Sequence, residues 1–387
     1  MRLRHPDGST LHLAYCSNVH AEETPDAILT RLATIAPRLR ERLGVARVGV
    51  GLWLPAGAAA TLRHDVDARK RFAEGLREAG VEVVTCNAFP YAAFHAPVVK
   101  RDVYRPDWAD PRRAAFTLDV AHVLVDLLPD DVTDGSISTL PLGWRDWMDA
   151  EGRRTAGLAL TRLGDALLDL AEQTGRSIRV GLEPEPGCTL ATAADVTEWV
   201  AELDHPAIGV SLDACHLAVE FEDPVATVRR LADGDTPVVK LQVSNALRSP
   251  AGPVSAHREH LGSYAEPRFL HQTRAAPAPG DVFVAATDDL PEALAGDLPD
   301  GREWRSHVHV PVHRREGTTQ DVLTSLLDEV VAGPSPVVRH LEVETYTWTV
   351  LPPDERPTTD EQLAGALARE LTWTRDALLA RGCTELT

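Results

Sequence analysis

The chain has 387 residues, of which 39 are basic and 58 acidic, so its formal net charge is −19. An acidic protein without a basic stripe repels phosphate backbones, which argues against a nucleic-acid partner. No segment approaches the roughly 20 apolar residues of a membrane span, the first residues lack a signal-peptide core, and five scattered cysteines do not indicate a disulfide framework, so we expect a cytoplasmic protein without membrane insertion.

Short apolar runs alternate with helical segments along the chain. The runs predict strands near 11–16, 48–54, 81–86, 178–182, 207–212, 237–243, 307–312 and 337–344. Helical periodicity predicts helices near 26–43, 67–79, 111–128, 149–174, 192–203, 224–232, 319–331 and 359–381. Because parallel strands need crossover helices, the pattern predicts an α/β fold, a (β/α)8 TIM barrel formed by one domain over 1–387. A doubly wound sheet is the alternative, but no Gly-x-Gly-x-x-Gly turn supports it.

Two intervals, about 87–148 and about 244–306, exceed ordinary loop length. Both follow predicted strands on the C-terminal face, where barrel enzymes carry their active sites. We expect them to be insertions that cover the site. Apolar covers also serve contacts between copies of a chain, so the sequence leaves a homo-oligomer open.

Polar side chains follow five consecutive predicted strands at the ends that carry chemistry in barrels. They are Glu183 and Glu185 after the fourth strand, Asp213 and His216 after the fifth, Lys240 and Gln242 on the sixth, His307 and His309 on the seventh, and Glu342 and Glu344 on the eighth. Each residue alone has an ordinary structural explanation, such as capping the next helix or packing in the core. The ordered set favours a metal or substrate site, because carboxylates and imidazoles together suit Mn²⁺, Mg²⁺, Co²⁺ or Zn²⁺.

The run Gly209–His216, with an aspartate three residues before a histidine, resembles the fifth-strand signature of xylose isomerase-like barrels, the sugar (phosphate) isomerase/epimerase superfamily. Leu182-Glu183 and Leu341–Thr345 resemble its fourth-strand and eighth-strand glutamate segments. Further segments are similar to the EboE-type metabolite traffic proteins, which are thought to help move a small-molecule precursor. These segments are Tyr15–His20, Asn87–His95, Val103–Trp108 and Phe269–Arg274.

The resemblance implies a divalent metal and a small polyhydroxylated or carbonyl-bearing substrate. The implied metal ligands are Glu183, Asp213, His216, Gln242 and Glu344. For an isomerase or epimerase, Glu183 would remove a proton beside a carbonyl and Glu344 would return one from the other face, with Lys240 or His309 assisting as electrophile. The expected substrate contacts are His20, Asn87, Phe89, His95, Glu185 and His307.

The sixth strand departs from the superfamily, which often has a histidine where this sequence has Lys240 or Gln242. Two functions therefore stay open. One is a divalent-metal-dependent isomerase or epimerase, and the other is a non-catalytic binding or trafficking protein in which Lys240 takes the place of the metal's charge. A third, a phosphodiester hydrolase like the endonuclease branch, is opposed by the charge of −19.

Overall fold

The computed structural model describes residues 1–281 and 283–386. Its strands are β1 (Arg2–Arg4), β2 (Thr10–Cys16), β3 (Val48–Trp53), β4 (Val81–Asn87), β5 (Asp134–Thr139), β6 (Ser177–Leu182), β7 (Ile208–Asp213), β8 (Val238–Val243), β9 (Ala246–Ser249), β10 (Thr273–Ala275), β11 (Ala285–Thr287), β12 (Trp304–His309), β13 (His340–Val343) and β14 (Thr384–Leu386). Its helices are α1 (Pro25–Leu43), α2 (Ala56–His64), α3 (Val66–Glu78), α4 (Pro111–Leu127), α5 (Ala150–Thr174), α6 (Ala193–Leu203), α7 (Ala214–Val219), α8 (Pro224–Asp233), α9 (Arg258–Gly262), α10 (Leu290–Glu292), α11 (Gln320–Val331) and α12 (Asp360–Ala380).

Eight parallel strands, β2 to β8 and β13, form a closed barrel. Strands β2 to β8 pair in chain order, and β13 pairs with both β8 and β2, which closes the cylinder. At the closure, Leu341 lies opposite Leu241 on one side and Leu13 on the other. The predicted (β/α)8 TIM barrel is confirmed.

Helices form where the sequence supplies capping residues at both ends. The hydroxyl of Thr24 accepts a hydrogen bond from the backbone at the start of α1, and Gly44 ends that helix with a φ of 66°. Asp149 and Gly175 delimit α5 in the same way, with a φ of 69° at the glycine. The helices cover the outer face of the barrel, so β7 is buried at every position. Within the part of the chain that the structure describes, no helix is long and apolar enough to cross a membrane.

The apolar pattern does not predict β5, although this segment is a central barrel strand. Its sequence, DGSIST, contains one large apolar residue, Ile137. Inside the barrel, the Ser136 hydroxyl donates to Thr85 at 2.8 Å and Ser138 accepts from Lys240 at 3.3 Å, so polar pairing replaces apolar packing. The interval predicted as one insertion, 87–148, therefore contains α4 and a barrel strand, and its parts outside the barrel unit are 88–110 and 140–149.

The predicted seventh strand, 307–312, is wrong as a barrel strand. Trp304–His309 forms β12, which pairs antiparallel with β9 and β10 in a separate four-stranded sheet. The helix α11 follows β12 and leads into β13, so the local sequence pattern imitates a barrel unit. Most of the interval 244–306 belongs to this inserted sheet and its connections. The strands predicted as fourth to sixth are consequently the fifth to seventh of the barrel.

Arg113 on α4 anchors the loop that follows β4. Its buried guanidinium donates to the carbonyl oxygens of Pro106 at 2.8 Å, Ala88 at 2.9 Å and Phe89 at 2.8 Å. Burial lowers the pKa of Arg113 to about 9, but the group stays charged at neutral pH. These bonds fix both ends of a loop that borders the C-terminal mouth of the barrel.

We predict that Arg113→Met lowers the free energy of unfolding by about 3 kcal/mol, because three buried carbonyl groups lose a charged donor. Urea denaturation followed by circular dichroism measures this change. Arg112→Met is the matched control, since the neighbouring Arg112 is exposed and pairs only with Asp110, and we expect a change within about 0.5 kcal/mol. Equal effects of the two substitutions would contradict the anchoring role.

Candidate metal centre and active site

Three carboxylates converge at the C-terminal mouth of the barrel. Glu183 follows β6, Asp213 ends β7 and Glu344 follows β13, and parallel strands all end at the same rim. Each of these residues is at most 4% exposed. Each can offer one oxygen such that the three oxygens lie within 4.8 Å of one another.

Asp213 is oriented through one of its two oxygens. Its Oδ1 accepts hydrogen bonds from the backbone of Cys215 at 2.7 Å and of His216 at 3.0 Å, and from the hydroxyl of Ser244 at 2.6 Å. Its Oδ2 is buried and has no hydrogen-bond partner among the described residues. The donors thus turn a free oxygen toward the other carboxylates.

Glu344 and Glu183 each have a carboxylate oxygen close to that of Asp213. The side-chain amides of Asn18 and Asn87 donate to Oε1 of Glu344 at 2.7 Å and 3.1 Å. Oε2 of Glu183 is buried and lacks a partner among the described residues. Burial, reinforced by repulsion from neighbouring carboxylates, raises the pKa of Glu183 and of Glu344 well above the ordinary value. Buried oxygens without donors fit a divalent cation, because hard oxygen ligands suit such ions and desolvation otherwise opposes the charge.

Three histidines stand beside the carboxylates. His216 comes from α7, whereas His307 and His309 come from β12 of the inserted sheet. Nε2 of His307 is 3.0 Å from Nε2 of His216 and 3.2 Å from Nε2 of His309. Nε2 of His216 and of His309 each lie 3.9 Å from Oδ2 of Asp213. Two elements that are distant in sequence therefore add imidazoles to the barrel's carboxylates.

Glu185 is a fourth carboxylate at the rim, and it faces the histidines. Its Oε2 lies 3.0 Å from Nε2 of His216. Its Oε1 accepts a hydrogen bond from the Tyr104 hydroxyl at 2.8 Å, and that hydroxyl accepts one from Gln272 at 2.7 Å. Burial is the main reason that the pKa of Glu185 is raised.

A cavity of about 50 Å³ lies between these groups and the loops above them. This volume holds only a few water molecules. Its lining is Asn18, Asn87, Phe89, Pro90, Phe94, Val99, Lys100, Val103, Tyr104, Glu183, Glu185, His216, Phe269, Leu270, His307, His309, Glu344 and Tyr346. Phe94, Phe269 and Tyr346 pack together with ring centroids 4.9–5.2 Å apart and form an aromatic cover.

Most of the predicted site residues come together in this cavity. Those that line it are Asn87, Phe89, Glu183, Glu185, His216, His307, His309 and Glu344, and Asp213 lies directly behind the lining. The predicted substrate contacts His20 and His95 do not line it. His20 lies within hydrogen-bond distance of Tyr15 at 3.2 Å and of Arg31 at 3.3 Å, and the ring of His95 lies 2.7 Å from the carbonyl oxygen of Asn18. Both rings thus have hydrogen-bond partners within the protein, and their role as substrate contacts stays a prediction.

Lys240 does not line the cavity either. Its ammonium lies 3.0 Å from Oε2 of Glu342, and both side chains are fully buried inside the barrel. A Cβ at Gly51 would lie 1.4 Å from that oxygen, so only glycine leaves room for the carboxylate. Gln242 is also fully buried, and neither atom of its amide group has a hydrogen-bond partner among the described residues. The sixth predicted strand therefore supplies the ammonium of an internal ion pair, whose carboxylate comes from β13, and one amide without a partner among the described residues.

Sequence reasoning missed Asn18, Tyr104, Gln272 and Tyr346. Asn18, Tyr104 and Gln272 lie in segments that the sequence analysis had singled out, and Tyr346 directly follows one. A loop side chain's direction is not set by strand alternation, so the sequence selected His20 and His95 instead of Asn18 and Tyr104. The position of Gln272 beside β12 is visible only in the inserted sheet, where the backbone N–H of His307 donates to the carbonyl oxygen of Gln272 at 2.8 Å.

The sequence model of the family described as xylose isomerase-like TIM barrel matches residues 49–263. A comparison with curated protein sequences gave no match. The matched stretch contains Glu183, Asp213 and His216, whereas His307, His309 and Glu344 lie beyond it.

Solved structures with the same fold cover nearly the whole chain. A xylose isomerase-like TIM barrel protein from Mycobacterium smegmatis in complex with magnesium has a TM-score of 0.52 at 15% identity, covering 95% of this chain and 98% of that one. The IOLI protein with a binding zinc atom has a TM-score of 0.52 at 14% identity, covering 96% and 99%. D-psicose 3-epimerase from Clostridium cellulolyticum H10 with D-tagatose has a TM-score of 0.50 at 12% identity, covering 95% and 99%. At these identities the likeness establishes the fold.

We predict that Lys240→Met lowers the free energy of unfolding by about 3–5 kcal/mol, because it leaves the Glu342 carboxylate buried without its counter-charge. The double variant Lys240→Met/Glu342→Leu removes both charges and should recover most of the loss. Urea unfolding of the cation-free protein measures both. Lys100→Met is the control, since its partner Asp289 and the ammonium are partly exposed, and we expect at most about 1 kcal/mol. A double variant as unstable as the single one would contradict the ion-pair interpretation.

Proposed function

The chain belongs to the xylose isomerase-like TIM-barrel family, and on that premise we propose that it is a divalent-cation-dependent isomerase or epimerase. Its substrate is a small polyhydroxylated or carbonyl-bearing metabolite. One observation carries the proposal. Oxygens of Glu183, Asp213 and Glu344 converge within 4.8 Å of one another beside a cavity, and the first two residues each have a buried oxygen without a hydrogen-bond partner among the described residues. The relatives solved with magnesium, with zinc and with D-tagatose support the same class of chemistry.

The cation would be held by Glu183, Asp213 and Glu344. Gln242 is the proposed fourth ligand, because its buried amide has no other partner among the described residues. A bound divalent cation supplies Lewis-acid polarisation of a substrate carbonyl. Mn²⁺, Mg²⁺, Co²⁺ and Zn²⁺ all remain candidates for this carboxylate-rich position.

We assign proton transfer to the glutamates Glu183 and Glu344. Glu183 takes a proton from the carbon next to the carbonyl through the carboxylate oxygen that the cation does not hold, and Glu344 returns a proton from the other side. Asn18 and Asn87 donate to Oε1 of Glu344 and so fix the orientation of this carboxylate.

The remaining groups hold and shield the substrate. Asn87, Phe89 and Glu185 line the cavity, and His307 and His309 border it from the inserted sheet. The cover of Phe94, Phe269 and Tyr346 excludes water from the transfer. Because the cavity of about 50 Å³ has room for only a few waters, binding of a sugar-sized substrate requires side chains around it to move. We propose that Lys240 neutralises the buried charge of Glu342 and does not act as an electrophile, because its ammonium pairs with the Glu342 carboxylate.

The alternative is a non-catalytic binding or trafficking protein of the EboE type. In such a protein, the ammonium of Lys240 would take the place of the cation's positive charge beside the carboxylates. The ammonium instead pairs with Glu342, which does not belong to the converging carboxylates. The structure therefore offers no specific observation in favour of the carrier.

We predict that the Mn²⁺- or Co²⁺-loaded protein exchanges a carbon-bound proton of a ketose with solvent. Incubation in D2O with a panel of pentuloses and hexuloses, followed by NMR, detects deuterium at the carbon beside the carbonyl. Glu183→Gln should slow exchange by about 10²–10⁴-fold, because the amide cannot accept the proton and is a weaker ligand for the cation.

Glu222→Gln is the control for this experiment. Glu222 accepts hydrogen bonds from the backbone of Ala193 at the start of α6 and lies outside the cavity. Exchange at the wild-type rate in Glu183→Gln would contradict the assigned proton transfer. A fully loaded wild-type protein that binds a ketose but exchanges no proton would favour the carrier.

A further inference from the structure

A buried glutamate on the outer helix α12 has no part in the chemistry described so far. Glu370 is 0% exposed, whereas most other buried residues of α12 are alanines and leucines. Burial raises the pKa of its carboxyl group to about 7. A buried carboxyl group is unfavourable unless hydrogen bonds compensate for the lost water. The partners of Glu370 therefore show what the protein gains from it.

Oε1 of Glu370 accepts hydrogen bonds from two segments near the mouth of the barrel. The hydroxyl of Thr345 donates to it at 2.6 Å, and the backbone N–H of Val312 donates at 3.1 Å. Thr345 directly follows Glu344, and Val312 lies three residues after His309. A single oxygen thus ties the chain after β13 to the chain after β12.

The sheet does not continue into the segment that carries Glu344. Strand β13 ends at Val343, and a short 3₁₀ helix begins at Tyr346. The hydroxyl of Thr345, at the start of that helix, donates to Glu370 and makes no capping hydrogen bond within the described part of the chain. Outside a strand, local backbone angles set the direction of a side chain. The bond at Thr345 therefore bears directly on the Glu344 carboxylate and on the ring of Tyr346, which lines the cavity.

The same two segments are also joined on the side of the cavity. The carbonyl oxygen of Glu344 lies 2.8 Å from Nδ1 of His309, and the hydroxyl of Thr347 donates to the carbonyl oxygen of His309. Glu370 adds the link on the side of α12. The segment of Glu344 is therefore held between the inserted sheet and an outer helix.

We infer that Glu370 is a positioning residue, which acts through Thr345 to place the Glu344 carboxylate. This role rests on the proposed function, in which Glu344 binds the cation and returns a proton. Loss of a partner that orients a ligating group typically weakens metal binding or activity by about 10–100-fold. Glu370 lies outside the cavity lining, so its substitution alters the geometry of the site without removing a ligand.

The test compares Mn²⁺ binding to the full chain in two variants, measured by electron paramagnetic resonance of free Mn²⁺. In Glu370→Met the side chain has a similar size and cannot accept the two hydrogen bonds, so we expect about 10–100-fold weaker binding. In Glu370→Gln the acceptor oxygen is kept, so we expect an affinity within about 3-fold of the wild type.

Thr374→Val is the matched control. Thr374 is also fully buried on α12, and its hydroxyl donates to the backbone carbonyl oxygen of Glu370 at 3.0 Å. This variant should bind Mn²⁺ like the wild type. Circular dichroism checks that each variant folds. Should Glu370→Met not fold, Thr345→Val removes one of the two donors, and we expect at least about 3-fold weaker binding.

Proton exchange of a ketose at saturating Mn²⁺ gives a second readout. We expect Glu370→Met to lower kcat by about 10–100-fold with KM within about 3-fold of the wild type, because the transfer step depends on the position of Glu344. Glu370→Gln should restore kcat. A merely structural role would lower stability without this separation of kcat from KM.

Crystal structures of the cation-free proteins distinguish failure of this role from failure of the proposed function. A Glu344 carboxylate that is displaced in Glu370→Met and in place in Glu370→Gln would support the role. Wild-type protein that binds no Mn²⁺ would then overturn only the carboxylate cation site. A Glu344 carboxylate that stays in place in Glu370→Met, or Mn²⁺ binding in that variant as tight as in the wild type, would overturn the role and leave the proposed function standing. Equal weakening in both variants would also overturn it.

Discussion

The structure is organised around the burial of five carboxylates in the mouth and interior of one barrel. Parallel strands all end at the same rim, so polar residues that follow β6, β7 and β13 are brought together whatever their separation in sequence. Removing such charges from water is unfavourable unless they gain partners. Part of the compensation comes from the protein itself: Lys240 pairs with Glu342, three donors hold Oδ1 of Asp213, and two asparagines hold Oε1 of Glu344. The oxygens left without partners then define where a cation would bind.

The barrel and the inserted sheet contribute different chemistry to this mouth. The barrel strands supply the oxygen ligands, whereas β12 supplies His307 and His309. The insertion also provides Gln272, which orients His307, and Phe269, which packs in the aromatic cover. An insertion after β8 thus changes a carboxylate site into a mixed carboxylate and imidazole site without altering the barrel. This division fits the general observation that barrel enzymes diversify through the loops on their C-terminal face.

Aromatic side chains and an anchored loop lie above the carboxylates. Arg113 fixes the loop after β4, and Phe94, Phe269 and Tyr346 pack against one another above the carboxylates. A pre-organised, water-poor site strengthens electrostatic interactions with a bound substrate. The cavity below these rings has a volume of about 50 Å³.

The sequence by itself determined the fold class and the carboxylates that form the centre. The alternation of apolar runs and helical segments predicts a (β/α)8 barrel, and Glu183, Asp213, His216 and Glu344 follow from their places at strand ends. It did not reveal β5, because DGSIST lacks an apolar pattern and is stabilised by hydroxyl pairs to distant residues. It counted eight strands only because β12, which lies in another sheet, took the place of β5.

Only the tertiary structure decided which loop side chains reach the site. It selected Asn18 over His20 and paired Lys240 with Glu342, and it turned three imidazoles toward one point. Strand ends are placed by local periodicity, which a sequence records. The direction of a loop side chain is set instead by hydrogen bonds to residues as far as hundreds of positions away, which a single sequence does not record.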